Sequence, residues 1–512
     1  MPMHTNTSEL PAAGPSLKKG VLFYLIMVAL FSIGLYQVMN SGQRLENHSW
    51  TQITSTSELK TKPLGMVSGT AVSAGMFEEV LHQFLSNLTH PLSIALLQII
   101  IIISISRIFS YLMRLLGQPT VIGEIIAGIF LGPSVFGSAM PLIWSSVFPI
   151  ASLPNLHSIS TIGLSLFMFI IGLELDISLL NKRIQTALFV SHASILIPFL
   201  MGVFLAYQLY SDFAPGGISF LTFGLFIGVS MSITAFPVLA RIIQERGLSR
   251  TPLGVMAITC AATDDISAWC ILAIVIAIAK AGNVGSALFT LLLAVGYVLI
   301  MFRLVKPFMK KLSEKFVFRG QITRPYVAMS ILVLLVSAYV AEVIGIHALF
   351  GAFLAGVTIP HDPKIKEALR QKIEDVSLLL FLPVFFAFTG LRTQIGLLVS
   401  DGLWGVCLLV LLVAVAGKVF GTVVASKLMN QTWKNSFSLG VLMNTRGLME
   451  LVVLNIGYDL GIISPEIFVV LVIMAIATTL MTGPLLNLID RIWPEPMQAI
   501  AVPAAGHEEE LH

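Results

Sequence analysis

Two adjacent carboxylates, Asp264 and Asp265, lie in an apolar stretch that carries no other charge between Pro252 and Lys280. At a rise of about 1.5 Å per residue, Asp264 is roughly 18 Å from the start of a helix beginning at Pro252, near the middle of a bilayer. A charge at that depth costs about 2.5 kcal/mol or more, and marks a functional site by default. Neighbours on a helix point about 100° apart, so one carboxylate can bind a small cation or a proton while the other serves a different partner.

A single lysine in another apolar stretch is the predicted partner of this pair. Lys418 lies within Ala416–Gly421, where small residues permit the close approach of another helix. An ionised Lys418 would keep Asp264 charged, and loss of that partner would favour a neutral lysine, so the pair can link cation binding to proton release. A lysine whose stem extends to the membrane interface is the alternative.

The composition indicates which kind of element positions these charges. Of the 512 residues, 56% are hydrophobic and 11% are charged, whereas roughly 25% of the residues of a soluble protein are charged. The mean hydropathy is +0.90. These values exclude a soluble enzyme, a nucleic-acid-binding protein, a disordered scaffold and a disulfide-stabilised secreted domain. The three cysteines, Cys260, Cys270 and Cys407, lie in apolar runs. They are predicted to be core residues rather than metal ligands or redox-active thiols.

Fourteen stretches approach the roughly 20 mainly apolar residues that span a bilayer as a helix. The predicted spans are 21–39, 92–113, 119–137, 157–175, 184–209, 217–243, 252–279, 285–307, 323–344, 346–361, 376–396, 402–426, 435–459 and 464–490. The predicted fold class is therefore all-α, a polytopic membrane protein of about 13–14 transmembrane helices. Residues 1–90 are predicted to form an N-terminal helix and an outer polar loop, and residues 491–512 a short cytoplasmic tail. A signal peptide is the alternative for the first span, but a retained helix is favoured because no tight cleavage site accompanies it.

The basic residues predict the orientation of these spans. With the N-terminus in the cytoplasm, twenty-three of the 30 Lys and Arg lie in inner loops or at inner helix ends. Five lie outside, and Lys418 and Arg446 lie within spans. This asymmetry follows the positive-inside rule and places both termini in the cytoplasm. We expect an integral protein of a bacterial inner membrane.

Two pairs of similar segments indicate an internal repeat. Residues 166–177 resemble residues 384–395, and residues 122–132 resemble residues 346–356. Corresponding helices stand seven apart, an odd number, so the second copy must be inverted in the membrane. The predicted transmembrane domain, 91–490, therefore holds repeats at about 92–279 and 323–490, joined by a linker helix at about 285–307. Inverted repeats are typical of secondary transporters, whose ion site lies near the midplane between the repeats.

One helix of each repeat is predicted to be broken at a similar depth. Pro237 lies in mid-span, where a proline removes a backbone hydrogen bond. The corresponding helix of the second repeat contains the polar run Asn444–Gly447. Unwound backbone is tolerated in a bilayer only where protein or a water-filled cavity satisfies it, so a pair of matching breaks indicates the binding site.

The polar residues at these breaks supply candidate ligands and supports. We expect the hydroxyls or backbone oxygens of Ser232 and Thr234 to join one of the two carboxylates in replacing part of the water shell of a small cation. Arg446 and Glu450 are four residues apart on one helix and can pair with each other. We interpret them as a structural pair that holds the broken helix together.

Six stretches together resemble one known family. They are Gly117–Gly128, Leu166–Asp176, Ser232–Ala240, Ala261–Trp269, Gly345–Phe353 and Asn444–Glu450. The sequence resembles the monovalent cation:proton antiporter-2 family, in particular the membrane domains of plant cation/proton exchangers and bacterial potassium-efflux antiporters. The resemblance implies a homodimer in which each subunit has a scaffold and a moving core, with the two broken helices crossing beside the acidic pair.

The resemblance also implies roles for the charged residues. Asp265 would be the site of the monovalent cation, shared alternately with a proton, and Asp264 would pair with Lys418. Within the wider superfamily, two adjacent aspartates with the lysine are typical of electrogenic exchange. The similar plant relatives usually have Asn-Asp at these positions, and most of them transport potassium. Both Na⁺ and K⁺, and both electrogenic and electroneutral exchange, therefore stay open.

The predicted function is secondary active antiport of a monovalent cation, Na⁺ or K⁺, against protons by alternating access. A gated cation channel and a non-transporting membrane sensor are the alternatives. No enzymatic activity, cofactor or nucleic-acid partner is predicted. The expected partners are the transported ions, the lipid bilayer and a second copy of the chain.

Overall fold

The structure is a computed structural model in which parts of the chain are described. The described residues are 17–46, 83, 87–88, 90–174, 184–248, 251–281, 284–318, 321–360, 362–400 and 402–494. Most of the predicted outer loop and of the C-terminal tail lie outside them, as does Asp176. The predictions for those segments therefore stay predictions.

The described chain is nearly all helical, as the sequence predicts. In chain order the helices are α1 (Leu17–Glu46), α2 (Pro91–Leu115), α3 (Thr120–Leu131), α4 (Pro141–Val147), α5 (Leu153–Glu174), α6 (Ile184–Phe213), α7 (Phe220–Ser232), α8 (Phe236–Glu245), α9 (Pro252–Ala281), α10 (Val284–Ile300), α11 (Lys306–Phe316), α12 (Arg324–Ile344), α13 (Ala348–Thr358), α14 (Pro363–Val376), α15 (Leu382–Arg392), α16 (Gly396–Ser400), α17 (Trp404–Leu428), α18 (Trp433–Met443), α19 (Leu448–Asp459) and α20 (Pro465–Ile492). Two-residue strands β1 (Val317–Phe318) and β2 (Gln321–Ile322) form a small antiparallel hairpin between α11 and α12.

Twelve helical segments among the described residues are long and apolar enough to cross a membrane. A thirteenth span is the pair α18 and α19, which is bent by 41° at its break. The remaining predicted span, 346–361, contains only the 11-residue helix α13. At about 1.5 Å per residue, a helix of that length covers roughly half of the hydrocarbon thickness.

Helix α14 lies between the predicted spans 346–361 and 376–396, in a charged segment to which hydropathy assigns no helix. Asp362 caps its start by accepting a hydrogen bond from the backbone N–H of Lys364 at 2.9 Å, and Pro363 occupies its first turn. The π-helical turn Ser377–Phe381 then continues it into α15. Its apolar residues Ile365, Leu369 and Ile373 are buried, so the segment is an amphipathic helix with a charged outer face.

The helices divide into two packed groups. The site bundle consists of α6 to α9 together with α17 to α20, and α6 packs extensively on both α7 and α17. The support bundle consists of α2, α3, α5, α12, α13 and α15, with its largest contacts between α5 and α13, α2 and α3, and α3 and α15. Helix α1 packs against α6 and α7 of the site bundle.

The two pairs of similar segments pack against each other in the support bundle. Gly172 of α5 faces the backbone of α13 at Phe353, and Gly356 of α13 faces the backbone of α5. Gly128 of α3 and Gly390 of α15 are likewise in backbone contact. Each of these two helix contacts joins a helix of the first repeat to a helix of the second, as expected of inverted repeats. A side chain at any of these glycines would collide with backbone atoms.

Candidate functional site

The site bundle is organised around two helix breaks that meet. Between α7 and α8 the backbone is extended at Ile233 and Ala235. The backbone N–H of Ala235 donates to the carbonyl oxygen of Thr445 in the second break at 2.9 Å. The hydroxyl of Thr234 lies 3.0 Å from the carbonyl oxygen of Met443. The breaks therefore satisfy part of each other's unpaired backbone, which an apolar environment requires.

Pro237 lies in the first turn of α8 rather than in the middle of a kinked helix. A proline at that position loses no helical hydrogen bond, and its fixed φ suits the start of a helix. Gly447, immediately before α19, faces Val238 of α8, so the chain at the second break lies against the start of α8.

Arg446 fastens the second break to the end of α7. Its guanidinium donates to the carbonyl oxygens of Ser230 and Met231, in the last turn of α7, and to Glu450 Oε2 at 2.9 Å. Arg446 and Glu450 are both fully buried, and Thr479 of α20 donates to the backbone carbonyl of Arg446. The carbonyls at the end of a helix have no intrahelical partner, so this cation both caps α7 and neutralises a buried acid.

Asp264 is fully buried and surrounded by donors. Ser191 donates to its Oδ1. Ser194 and Thr234 donate to its Oδ2, both at 2.8 Å, and Lys418 Nζ lies 3.0 Å from the same oxygen. Hydrogen bonds and a nearby cation both favour the ionised form of a carboxylate.

Lys418 is also fully buried and has three acceptors for its three N–H groups. They are Asp264 Oδ2, the carbonyl oxygen of Ser194 at 2.9 Å and the carbonyl oxygen of Ser232 at 2.5 Å. The structure therefore brings together Lys418, Asp264 and the break between α7 and α8. A buried ammonium is tolerated only with such pairing.

Asp265 differs sharply from its neighbour. It is 2% exposed, and neither of its carboxylate oxygens has a hydrogen-bond partner among the described residues. The amide oxygen of Asn444, in the second break, is buried without a partner in the same way. A buried carboxylate without donors is unfavourable as a bare anion.

The hydroxyls of Ser232 and Thr234 make their hydrogen bonds away from Asp265. Ser232 donates to the carbonyl oxygen of Val229 at 2.8 Å, and Thr234 donates toward Asp264. Ser191 and Ser194, which no sequence motif marks, provide two of the four donors to Asp264. Their only signal in the sequence is a pair of hydroxyls three residues apart in an otherwise apolar stretch.

Within the described part of the chain, no three His, Cys, Asp or Glu residues are grouped in a way that could hold a metal ion. An unpaired carboxylate is an oxygen ligand, and such ligands suit a hard cation.

A family model described as "Sodium/hydrogen exchanger, transmembrane" matches residues 100–489. Among curated proteins, the chain is 43% identical over 409 residues to the Na(+)/H(+) antiporter NhaS4 of Synechocystis sp., covering 80% of this chain and 99% of that protein. It is 40% identical over 399 residues to Cation/H(+) antiporter 17 of Arabidopsis thaliana, covering 78% of this chain and 48% of that protein. It is 34% identical over 411 residues to the K(+)/H(+) antiporter 1 of Saccharomyces cerevisiae, covering 79% of this chain and 47% of that protein. The chain thus spans about half the length of these plant and yeast relatives.

Among solved structures, the fold resembles that of the sodium proton antiporter MjNhaP1 from Methanocaldococcus jannaschii. The TM-score is 0.57 at 17% sequence identity, and the match covers 79% of this chain and 97% of that one. At this identity the similarity concerns the fold.

Proposed function

Because the chain belongs to the sodium/hydrogen exchanger family, we propose that it is a secondary active antiporter that exchanges a monovalent cation, Na⁺ or K⁺, for protons at Asp265. The observation that carries the assignment of the site is the contrast between two adjacent buried carboxylates. Asp264 has four donors, whereas Asp265 has none among the described residues. Of these two carboxylates in the described part of the chain, only Asp265 has both oxygens free to coordinate a transported ion.

Competition at Asp265 couples the two fluxes. A bare carboxylate at this depth is strongly disfavoured, so the site is stable when either a proton or a cation neutralises it. Because both use the same oxygens, each displaces the other. The unwound backbone at the two breaks offers carbonyl oxygens as further ligands, as at the midplane sites of other transporters with broken helices.

Alternating access would then be a movement of the site bundle against the support bundle. The bundles are linked by polar contacts where α19 ends against α15. Arg392 of α15 lies 2.7 Å from Asp459 of α19, and Asn455 of α19 donates to Thr389 of α15 at 2.8 Å. Exposed ion pairs are weak, so contacts of this kind can break and reform at small cost.

The relatives leave the cation open between Na⁺ and K⁺. NhaS4 is named for Na⁺, whereas the yeast relative is named for K⁺. We propose a bacterial inner-membrane location with both termini in the cytoplasm, which the distribution of Lys and Arg supports. A homodimer, the assembly that the family resemblance implies, is proposed with it.

The test is the Asp265→Asn variant reconstituted in proteoliposomes with a pH-sensitive dye inside. We expect wild type to change the internal pH when Na⁺ or K⁺ is added, and Asp265→Asn to abolish the change, because an amide binds neither a proton nor a cation in place of the carboxylate. Additions of Na⁺, K⁺ and Li⁺ in turn identify the substrate.

The matched control is Asp212→Asn, the same chemical change at an exposed residue at the end of α6. It should exchange as wild type does. Retained exchange in Asp265→Asn would refute the assignment of the site. Cation flux without any proton flux in wild type would instead support a gated channel.

A further inference from the structure

We propose that Glu174 of α5 and Arg241 of α8 pair across the two bundles in the alternate state of the transport cycle, and so close the inner end of the molecule, where α5 and α8 end. This inner pair is the counterpart of the outer pair, Arg392 and Asp459, which joins the bundles where α15 meets α19. The inference rests on the proposed antiport function, because it names the contact that holds the state in which the outer end is open.

The first step of the argument is the position of Glu174. The similar segments at the ends of α5 and α15 align Glu174 with Arg392. The same alignment matches Gly172 with Gly390, and each of these glycines lies against the backbone of another helix of the support bundle. Each charge comes two residues after its glycine, so the two charges hold equivalent places at opposite ends of an inverted repeat.

The second step is the position of Arg241. Helices α8 and α19 end in the same kind of turn, since each is followed by a glycine with positive φ, 67° at Gly247 and 65° at Gly461. Three backbone hydrogen bonds of the two turns match at one constant offset along the chain. In α8 the N–H groups of Arg246, Gly247 and Leu248 donate to the carbonyl oxygens of Ile242, Gln244 and Ile243, and in α19 those of Leu460, Gly461 and Ile462 donate to Ile456, Tyr458 and Gly457. This match aligns Arg241 with Asn455.

The third step is the sign of the charges. Arg392 reaches two residues on one face of α19, Asp459 Oδ1 at 2.7 Å and Asn455 Oδ1 at 3.3 Å. The corresponding positions of α8 hold Glu245 and Arg241. The support bundle carries an acid at its inner end where it carries a base at its outer end. Its complementary partner among the two positions of α8 is therefore Arg241.

The present partners of Glu174 show how it becomes available. Glu174 lies 3.9 Å from Arg370 of α14, and its side chain is 37% exposed, whereas that of Arg392 in the outer pair is 20% exposed. Arg370 has two nearer carboxylates, Glu367 at 2.9 Å and Glu374 at 3.5 Å. Release of Glu174 therefore leaves Arg370 paired, and exchange between exposed ion pairs costs little.

The test measures how often the outer end opens. In a background without the native cysteines, a cysteine replaces Ser160, a buried residue of α5 that lines the cavity beside the outer pair. Its labelling by a membrane-impermeant thiol reagent should become about fivefold slower in Glu174→Gln and in Arg241→Gln, because each change weakens only the state with the outer end open. General loosening of the fold would make the labelling faster instead.

Glu374→Gln is the matched control, since it removes another carboxylate of Arg370 and leaves the inner pair intact. Its labelling rate should equal that of the starting protein. A rate that is unchanged or higher in Glu174→Gln or Arg241→Gln overturns the inference. An equal fall in Glu374→Gln also overturns it, because Glu174 would then act through Arg370.

Cross-linking tests the contact directly. A short bifunctional thiol reagent should join the cysteines of Glu174→Cys/Arg241→Cys and stop exchange, and a reductant should restore it. The control pair is Glu174→Cys/Arg246→Cys, because the Arg246 side chain is directed toward α20, where it donates to the carbonyl oxygen of Gly483 and to Asn487. This pair should cross-link more slowly.

Exchange that continues in the cross-linked protein overturns the inference, and so does equal cross-linking of the control pair. Labelling and cross-linking are read without any transport. Absence of a cation-dependent pH change in wild type would therefore refute the proposed function separately.

Discussion

The adjacent aspartates Asp264 and Asp265 have opposite surroundings in this molecule. The burial of Asp264 and Asp265 could be predicted from their depth in an apolar stretch, and so could the pairing of Asp264 with Lys418. The sequence could not predict the hydroxyls that give the two carboxylates different surroundings. Ser191 lies more than seventy positions from Asp264 along the chain, and a serine in a membrane helix is an ordinary residue. Its role depends on how α6 is rotated against α9, which tertiary packing decides.

Arg446 is expected to be a structural residue of the site. Arg446→Ala removes the cap on α7 and leaves Glu450 as an unpaired buried acid, which should destabilise the protein by about 3–5 kcal/mol. The midpoint of thermal unfolding in detergent should fall accordingly. Arg446→Ala/Glu450→Ala should restore part of the loss, because no unpaired charge then remains. Arg491→Ala, at an exposed position in the last turn of α20, is the control. An unchanged midpoint for Arg446→Ala contradicts this role.

At the scale of elements, the two helix breaks could be predicted because proline and glycine interrupt helices for local reasons. Pro237 cannot lie in a helix interior without disrupting a hydrogen bond. Helix α14 could not be predicted by searching for apolar spans, since its charged residues resemble a loop. What makes it a helix is a capped start and a narrow apolar face packed on the support bundle.

The contact between α15 and α19 is expected to hold one end of the molecule closed. Arg392 reaches Asp459 and Asn455 of the site bundle and lies over the ring of Phe388. Beside it is a cavity of about 260 Å³ lined by residues of both bundles, among them Ser160 and Asn455. Arg392→Gln should open this end by weakening the link by about 1 kcal/mol, or about fivefold in population.

The measurement is the labelling rate of a cysteine introduced at Ser160, a buried residue of α5, by a membrane-impermeant thiol reagent. The rate should rise about fivefold in the Arg392→Gln background. Arg370→Gln is the matched control, since the partners of Arg370 (Glu174, Glu367 and Glu374) lie within the support bundle and α14. Equal rates in the two backgrounds would show that Arg392 does not close this end.

At the scale of the whole molecule, the number of spans and the inverted repeat could be predicted from hydropathy, from two pairs of similar segments and from their odd separation. The division into two bundles could not be predicted from the residues alone. It depends on which helices pack together across long separations, such as α3 with α15, and hydropathy carries no such information.

The orientation is tested by labelling single cysteines in a background without Cys260, Cys270 and Cys407. We expect a cysteine at Arg491 to be labelled only from the cytoplasm and one at Gly396 only from outside, because the positive-inside rule places these positions on opposite faces. Labelling of both from the same side would contradict the topology, and a reversed pattern would contradict the orientation.

The glycine contacts of the support bundle make this part of the protein rigid. Where Gly128 meets Gly390, and Gly172 meets the backbone of α13, main chain lies directly on main chain. Such a joint contains no rotamers that could rearrange, so it has no second packing to adopt. The support bundle therefore behaves as a stiff frame held by its own backbone. In the proposed mechanism, flexibility lies where larger and polar side chains separate the two bundles, and the support bundle is the fixed part against which the site bundle moves.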